Sequence, residues 1–236
     1  MQCRVVRARI KKRTRVNGGI VMTEEEKIFA GKLFNNQCDE LKAIKVKTHA
    51  ANQRYNALSE TDPERETIIR EMMGKVGRTF RFVGPIYINY GTHTFIGENF
   101  FANFNFTVMD DARVFIGDNV CIGPNVSLLA TNHPLIAQER MGMDAEGRTT
   151  LAEYADEIHI GNNVWIAANV CVIGGVTIGD GAVIGAGSVV TRDIPPNSLA
   201  VGVPCRVLRE ITEADTVAER LLPEDREYFK NNFGGF

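Results

Sequence analysis

Tryptophan occurs once and histidine four times in the 236 residues, and no two of the five cysteines are spaced as Cys-x-x-Cys. The missing pair removes the usual signature of a zinc ribbon or a dithiol redox centre. Cys3, Cys38, Cys121, Cys171 and Cys205 are odd in number and widely spread, which reads as reduced thiols in a cytoplasmic protein. Long apolar runs are missing too. None approaches the roughly 18 to 20 residues that cross a bilayer, so no membrane partner is expected. Charge of one sign is not in surplus either: 27 basic and 29 acidic residues leave a formal net charge of −2. No global field draws the chain to nucleic acid or an anionic surface, and any anion site must be local.

What is present begins with a Lys- and Arg-rich stretch, MQCRVVRARIKKRTRVNGGIV. A signal peptide would need about 7 to 15 apolar residues after those charges, and none follow. Residues 1–21 are expected to be a disordered or non-native extension, with the folded part opening at Met22.

The pattern that decides the fold has a period of six: Ile160, Ile166, Val172, Ile178, Ile184 and Val190 recur without a break. Four residues after each stands a small or β-branched residue, namely Val164, Val170, Val176, Ala182, Ser188 and Ile194. IGDNVC from Ile116 and IGPNVS from Ile122 are earlier units of the same kind. Such a period fits neither a helix nor simple strand alternation, but it fits short strands joined by sharp corners. Three units make one triangular coil, each leading aliphatic pointing inward and stacking on its counterpart about 4.8 Å away in the next coil. Gly and Asn suit the corners because they tolerate positive φ. The expected fold is mainly β, a parallel β-helix. So regular a run leaves little room for a β-sandwich.

The flanks carry no hexad. Residues 22–78 read as an N-terminal segment of two or three helices, the last capped by Thr61, with Pro63 in its first turn and Gly74 as its stop. Residues 79–211 form the β-helix, interrupted by a polar excursion over 130–157 of the length that is usually functional or disordered. Residues 212–236 read as a short C-terminal helix and tail, broken at Pro223.

The stretches NFFANFNFTVMDDARVFIGDNVCIGPNVSLLATNHP and IGNNVWIAANVCVIGGVTIGDGAVIGAGSVVTRDIPPNSLAVGVPCRV resemble the galactoside, maltose and nodulation-factor O-acetyltransferases of the hexapeptide-repeat superfamily. AGKLF resembles their N-terminal helical segment, so the likeness runs from about residue 23 to 211. The resemblance implies a left-handed parallel β-helix, acetyl-CoA as co-substrate, no metal, a small sugar-like acceptor and a homotrimer with its sites in grooves between subunits. Through the NHP tripeptide it implies His133 as general base, a role suited to imidazole, whose ordinary pKa of about 6.5 lets it take a hydroxyl proton near neutrality. Glu153 would orient that ring. Asn103 and Asp111 match acceptor-binding positions. Trp165, Ala168 and Ala186 match the pantetheine side, with the Ala168 N–H facing the thioester oxygen. Thr191, Arg192, Arg206 and Arg209 would meet the nucleotide phosphates.

Two positions depart from the family pattern. An acidic residue carried by the galactoside branch is Asn36 here, with Asp39 nearby as a substitute, and the position before Tyr90-Gly91, often Ser or Asp in relatives, is Asn89. In the family that the chain resembles, both positions lie on the acceptor side, so the specific sugar stays open, and xenobiotic and serine hydroxyls, whose enzymes have different N-terminal and loop patterns, rank below sugar as alternative acceptors. A zinc hydratase on the same scaffold would need three convergent imidazoles. His49, His93, His133 and His159 offer no close pair in sequence. A non-enzymatic β-helix scaffold is the remaining alternative.

Overall fold

The computed structural model describes residues 15–16, 19–20, 22–143, 147 and 149–233. Apart from the antiparallel pair Arg15–Val16 with Gly19–Ile20, the basic extension lies outside the described residues. No helix among the described residues is long and apolar enough to cross a membrane.

Three helices precede the β structure. Helix α1 (Glu24–Phe29) opens with a reciprocal cap: the Thr23 hydroxyl accepts from the Glu26 N–H, and the Glu26 carboxylate accepts from the Thr23 N–H. The AGKLF segment is not helical. Gly31 at φ 63° turns the chain out of α1, and Phe34 pairs in extended form with Glu153. Helix α2 (Asp39–Ala57) is followed by α3 (Glu64–Met72). Thr61 does not cap α3. The Asp62 carboxylate takes the Glu64 N–H at 2.9 Å, because Pro63 already has helical φ and ψ and brings Asp62 within reach.

The rest is a parallel β-solenoid of triangular section. Face 1 runs from Ile86–Ile88 through Phe106–Met109, Ser127–Leu129 and Cys171–Ile173 to Val189–Val190. Face 2 stacks Thr94–Ile96, Val114–Ile116, Ile158–Ile160 and Thr177–Ile178. Face 3 stacks Phe80–Phe82, Phe100–Ala102, Cys121–Ile122, Trp165–Ile166, Val183–Ile184 and Ser198–Val201. The leading aliphatics Ile160, Ile166, Val172, Ile178, Ile184 and Val190 are all buried, as a six-residue period requires of an inward column.

Asn and Gly divide the corners between them. Asn99, Asn105, Asn119, Asn125, Asn163 and Asn169 hold positive φ of 54° to 59°. Their amides form two ladders, Asn99 to Asn119 to Asn163 at 2.9 and 3.0 Å and Asn105 to Asn125 to Asn169 at 2.8 and 3.0 Å. The glycine after a leading aliphatic serves another purpose: it lacks positive φ, but a Cβ on Gly117 would stand 2.7 Å from the Gly161 carbonyl carbon of the next coil. Close coil-to-coil approach, not backbone freedom, requires glycine there.

Helix α2 closes the first-coil end of face 1. Thr48, Asn52 and Asn56, one helical turn apart, donate to the carbonyls of Tyr90, Ile88 and Ile86 at 2.7, 2.7 and 2.9 Å. An open strand edge is thereby satisfied by side chains instead of by another strand. At the other end Arg206–Glu210 pairs antiparallel with Ser198–Val201. Three short 3₁₀ turns follow, and Pro223 opens the last of them, leading into a helix at Arg226–Phe233. Proline begins this helix rather than interrupting one, since its missing N–H is not needed in a first turn.

Candidate active site

One corner of the triangle departs from regular geometry. The register between coils advances by 18 residues where the hexads are unbroken, by 20 in the early coils, and by 44 across the excursion. All the extra residues fall between face 1 and face 2, as residues 89–93, residues 109–113 and the excursion 130–157. Asn89, Asp111 and His133 are therefore stacked at a single corner, although they are far apart in the chain. The excursion leaves the solenoid on an antiparallel stem, Thr131–Asn132 with Tyr154–Ala155, and carries an arm of Met141–Met143 paired with Thr149–Leu151. Its Leu135, Ile136, Met141 and Met143 are exposed, so the segment is less polar at its surface than its composition suggests.

His133 sits at the root of the arm, half-buried. Its Nδ1 lies 2.9 Å from the Ala152 carbonyl oxygen, which can only accept, so Nδ1 carries the hydrogen and Nε2 presents a lone pair. The group that orients the ring is thus a backbone carbonyl. The Glu153 carboxylate, expected in that role, turns instead to Asn36, whose amide donates to it. Burial first, then the Asp111 charge, pushes the Glu153 carboxyl above its ordinary value, against the opposing pull of His133, the Asn36 hydrogen bond and Lys45. The carboxylate beside Asn36 therefore comes from the far side of the chain, whereas Asp39 is exposed in the first turn of α2. Asp39 lines a groove of about 590 Å³ between the N-terminal segment and the arm, together with Phe34, Gln37, Lys42 and Ala152.

Asp111 is buried and accepts from the Thr131 hydroxyl and from Asn89 Nδ2 at 3.2 Å. The adjacent Asp110 points the other way and accepts from the Tyr90 N–H at 2.7 Å and the Thr94 hydroxyl at 2.8 Å. Sequence reasoning missed Asp110 and His93. His93 is buried, stacks on Tyr90 at 4.8 Å, and has Nδ1 2.9 Å from the Asp110 carbonyl and Nε2 3.3 Å from Glu25 of α1. The DD doublet carried the available signal, because neighbouring side chains at a corner face opposite sides, one toward the site and one toward the scaffold.

The remaining candidates lie elsewhere. Asn103 is at the corner between faces 3 and 1, where its side chain accepts the Phe104 N–H at 2.8 Å. Ala168 and Ala186 occupy the same corner in later coils, and the Ala168 N–H has no partner among the described residues. Trp165 projects from face 3, 51% exposed. Thr191 and Arg192 follow the last strand of face 1, and Arg206 and Arg209 lie on the exposed antiparallel strand. Arg209 is already engaged, meeting both Asp215 oxygens at 2.7 and 2.5 Å and holding that carboxyl down at about 2. Within one chain, His133 and the Asn103–Ala168 corner occupy different edges of the triangle.

Two family models match the chain: the bacterial transferase hexapeptide (six repeats) over residues 157–192, and the maltose acetyltransferase hexapeptide capping motif over residues 27–77. Galactoside O-acetyltransferase of Escherichia coli (strain K12) is 47% identical over 196 residues, spanning 82% of this chain and 92% of that protein. A solved galactoside acetyltransferase in complex with coenzyme A matches with a TM-score of 0.75 at 45% identity, over 83% of this chain and 94% of that one. A maltose O-acetyltransferase from Clostridium difficile 630 matches with a TM-score of 0.75 at 41% identity, over 81% and 99%.

Proposed function

The chain belongs to the galactoside/maltose O-acetyltransferase family of hexapeptide-repeat proteins and is an acetyl-CoA-dependent acetyltransferase of that type; from that premise we propose a sugar hydroxyl as acceptor and His133 as general base. The observation that carries the assignment is the hydrogen bond from His133 Nδ1 to the Ala152 carbonyl. A ring held by Nδ1–H offers its Nε2 lone pair to a hydroxyl. His133 takes the acceptor proton as the hydroxyl oxygen attacks the thioester carbon, and the proton then passes to the departing thiolate. Glu153, which interacts electrostatically with His133, favours the imidazolium so formed. Asp111 and Asn89 offer acceptor and donor groups to the ring hydroxyls of a sugar.

Acetyl-CoA supplies the activated acetyl group, and the Ala168 N–H, which has no partner among the described residues, would receive the oxygen charge that develops on attack. That N–H and His133 lie at different corners, so the complete site takes one corner from each of two copies, which favours a closed homotrimer. The described thiols Cys38, Cys121, Cys171 and Cys205 are all unpaired, in keeping with a cytoplasmic protein. The test is an acceptor panel with acetyl-CoA, read by release of free thiol. Sugars should support turnover that His133→Ala lowers by about two to four orders of magnitude. Turnover with serine or an antibiotic hydroxyl but with no sugar would overturn the acceptor assignment.

A further inference from the structure

The residue that holds the His133 ring is itself tied down from outside the excursion. The Ala152 carbonyl accepts from His133 Nδ1 at 2.9 Å and the Ala152 N–H donates to the Arg140 carbonyl at 2.9 Å, but both partners belong to the excursion. The next residue reaches the rest of the molecule. The Glu153 carbonyl accepts from the Phe34 N–H at 3.1 Å, and the Glu153 carboxylate accepts from Asn36 Nδ2. We propose that the segment 34–36 braces the general base, with Asn36 a positioning residue that acts on His133 through Glu153 and the Ala152 carbonyl. The proposal rests on the general-base reading above.

Asn36 is spent on this contact. It is 7% exposed, its Nδ2 donates to Glu153, and its Oδ1 accepts from Gln37 Nε2 at 2.8 Å. An ionised carboxylate can only accept, so Glu153 fixes which end of the amide faces it. The segment is anchored to both flanking helices. Lys45 of α2 donates to the Asn36 carbonyl at 3.1 Å, and the Asn35 N–H donates to Glu24 of α1 at 2.6 Å. Phe34 and Glu153 are buried where the two strands of chain meet.

The excursion needs such a tie. Its stem is two residue pairs long, Thr131–Asn132 against Tyr154–Ala155, and the arm beyond it is a two-stranded ribbon, a unit of marginal stability by itself. His133 and Ala152 stand 19 residues apart on opposite sides of that ribbon. A general base displaced by about 1 Å can lose about a hundredfold in rate, so the angle of the stem matters to the chemistry. The brace fixes that angle from the side of the helices.

The test is a double-mutant cycle at saturating acetyl-CoA, with methyl galactoside as acceptor or, if another hydroxyl compound of the panel turns over faster, with that one. Asn36→Ala should lower kcat by about tenfold to a hundredfold and leave the KM for acetyl-CoA within about twofold. In the His133→Ala background the same substitution should change the residual kcat by less than about twofold, because a residue that acts through the imidazole has nothing left to position. Losses that multiply in the double variant would show that Asn36 acts elsewhere and overturn the proposal. So would an unchanged kcat in Asn36→Ala, or a loss confined to the KM of the acceptor. Asn36→Asp keeps the shape but sets carboxylate against carboxylate, and should lose at least as much as Asn36→Ala. Adding Glu153→Gln to it restores the donor–acceptor pair with reversed polarity and should regain most of that loss; this comparison decides the matter if Asn36→Ala does not fold, and no recovery overturns the proposal. Undiminished turnover in His133→Ala sinks the general-base reading and this proposal together, whereas a large His133 effect with multiplying losses sinks this proposal alone.

Discussion

His133 is held by a main-chain carbonyl, so its tautomer does not depend on the ionisation of a neighbour. His133→Ala should therefore lower kcat by about two to four orders of magnitude while leaving the KM for acetyl-CoA nearly unchanged. Steady-state kinetics with both substrates checks this. Glu153 presents a trade-off. Its raised pKa means that the folded state holds its proton more tightly than the unfolded chain does, so its contribution to stability is present at acid pH and is lost as pH rises through the folded value. Glu153→Gln should leave the Tm at neutral pH equal or higher, with the difference shrinking toward acid, while turnover falls by about tenfold through loss of a charge that favours the imidazolium. A lower Tm at neutral pH would mean that the carboxylate stabilises the fold. Burial raises the thiols of Cys121, Cys171 and Cys205, which makes them poor nucleophiles near neutrality. Cys→Ser variants should keep turnover within a few-fold, and mixing with acetyl-CoA alone should release no burst of CoA.

At the scale of elements, the close approach of coils at Gly117 makes a direct test of the solenoid register. Gly117→Ala places a methyl against the Gly161 backbone, and the strain should cost about 1 to 3 kcal/mol, read as a fall in Tm. An unchanged Tm would mean that the corner can open at no cost. Helix α1 is pinned to the irregular corner by Glu25 on His93, by Phe29 edge-on to the same ring at 4.9 Å, and by Arg113 over the Phe29 ring at 3.8 Å. Burial lowers the His93 pKa, but the Glu25 hydrogen bond and the contacts with Asp110 outweigh it and leave the value raised. A raised imidazole pKa gives stability that is complete below the unfolded value of about 6.5 and is lost as pH rises through the folded one. Glu25→Gln should flatten that part of the Tm profile, and a profile of unchanged slope would assign it to another group.

The whole molecule raises the question of shared sites. If His133 of one copy works with the Asn103–Ala168 corner of another, subunits inactivated at different corners should complement. Mixed refolding of His133→Ala with Trp165→Ala should recover more activity than either alone. Mixtures no better than their parents would place the whole site in one chain. Acetyl-CoA should also raise the Tm of the assembled protein, by the equivalent of about 2.7 kcal/mol at a hundredfold excess over Kd.

The sequence by itself determined the solenoid, because an inward column every six residues has one solution: short parallel strands with corners between them. The expectation for His133 came from the resemblance of the NHP tripeptide to the family, not from the period. The sequence could not say how the break folds. The Asn36–Glu153 hydrogen bond joins residues 117 apart, and the Asn89–Asp111 contact joins residues 22 apart, across coils of uneven length. At Thr61 and Pro223 local propensity pointed the wrong way, since the Asp62 carboxylate caps α3 and Pro223 opens a new first turn. Only the tertiary structure decided that every insertion falls at one corner, and hence which polar groups meet there. Periodicity is a local property that each hexad states for itself, whereas a site at an irregular corner depends on register summed over all the coils before it.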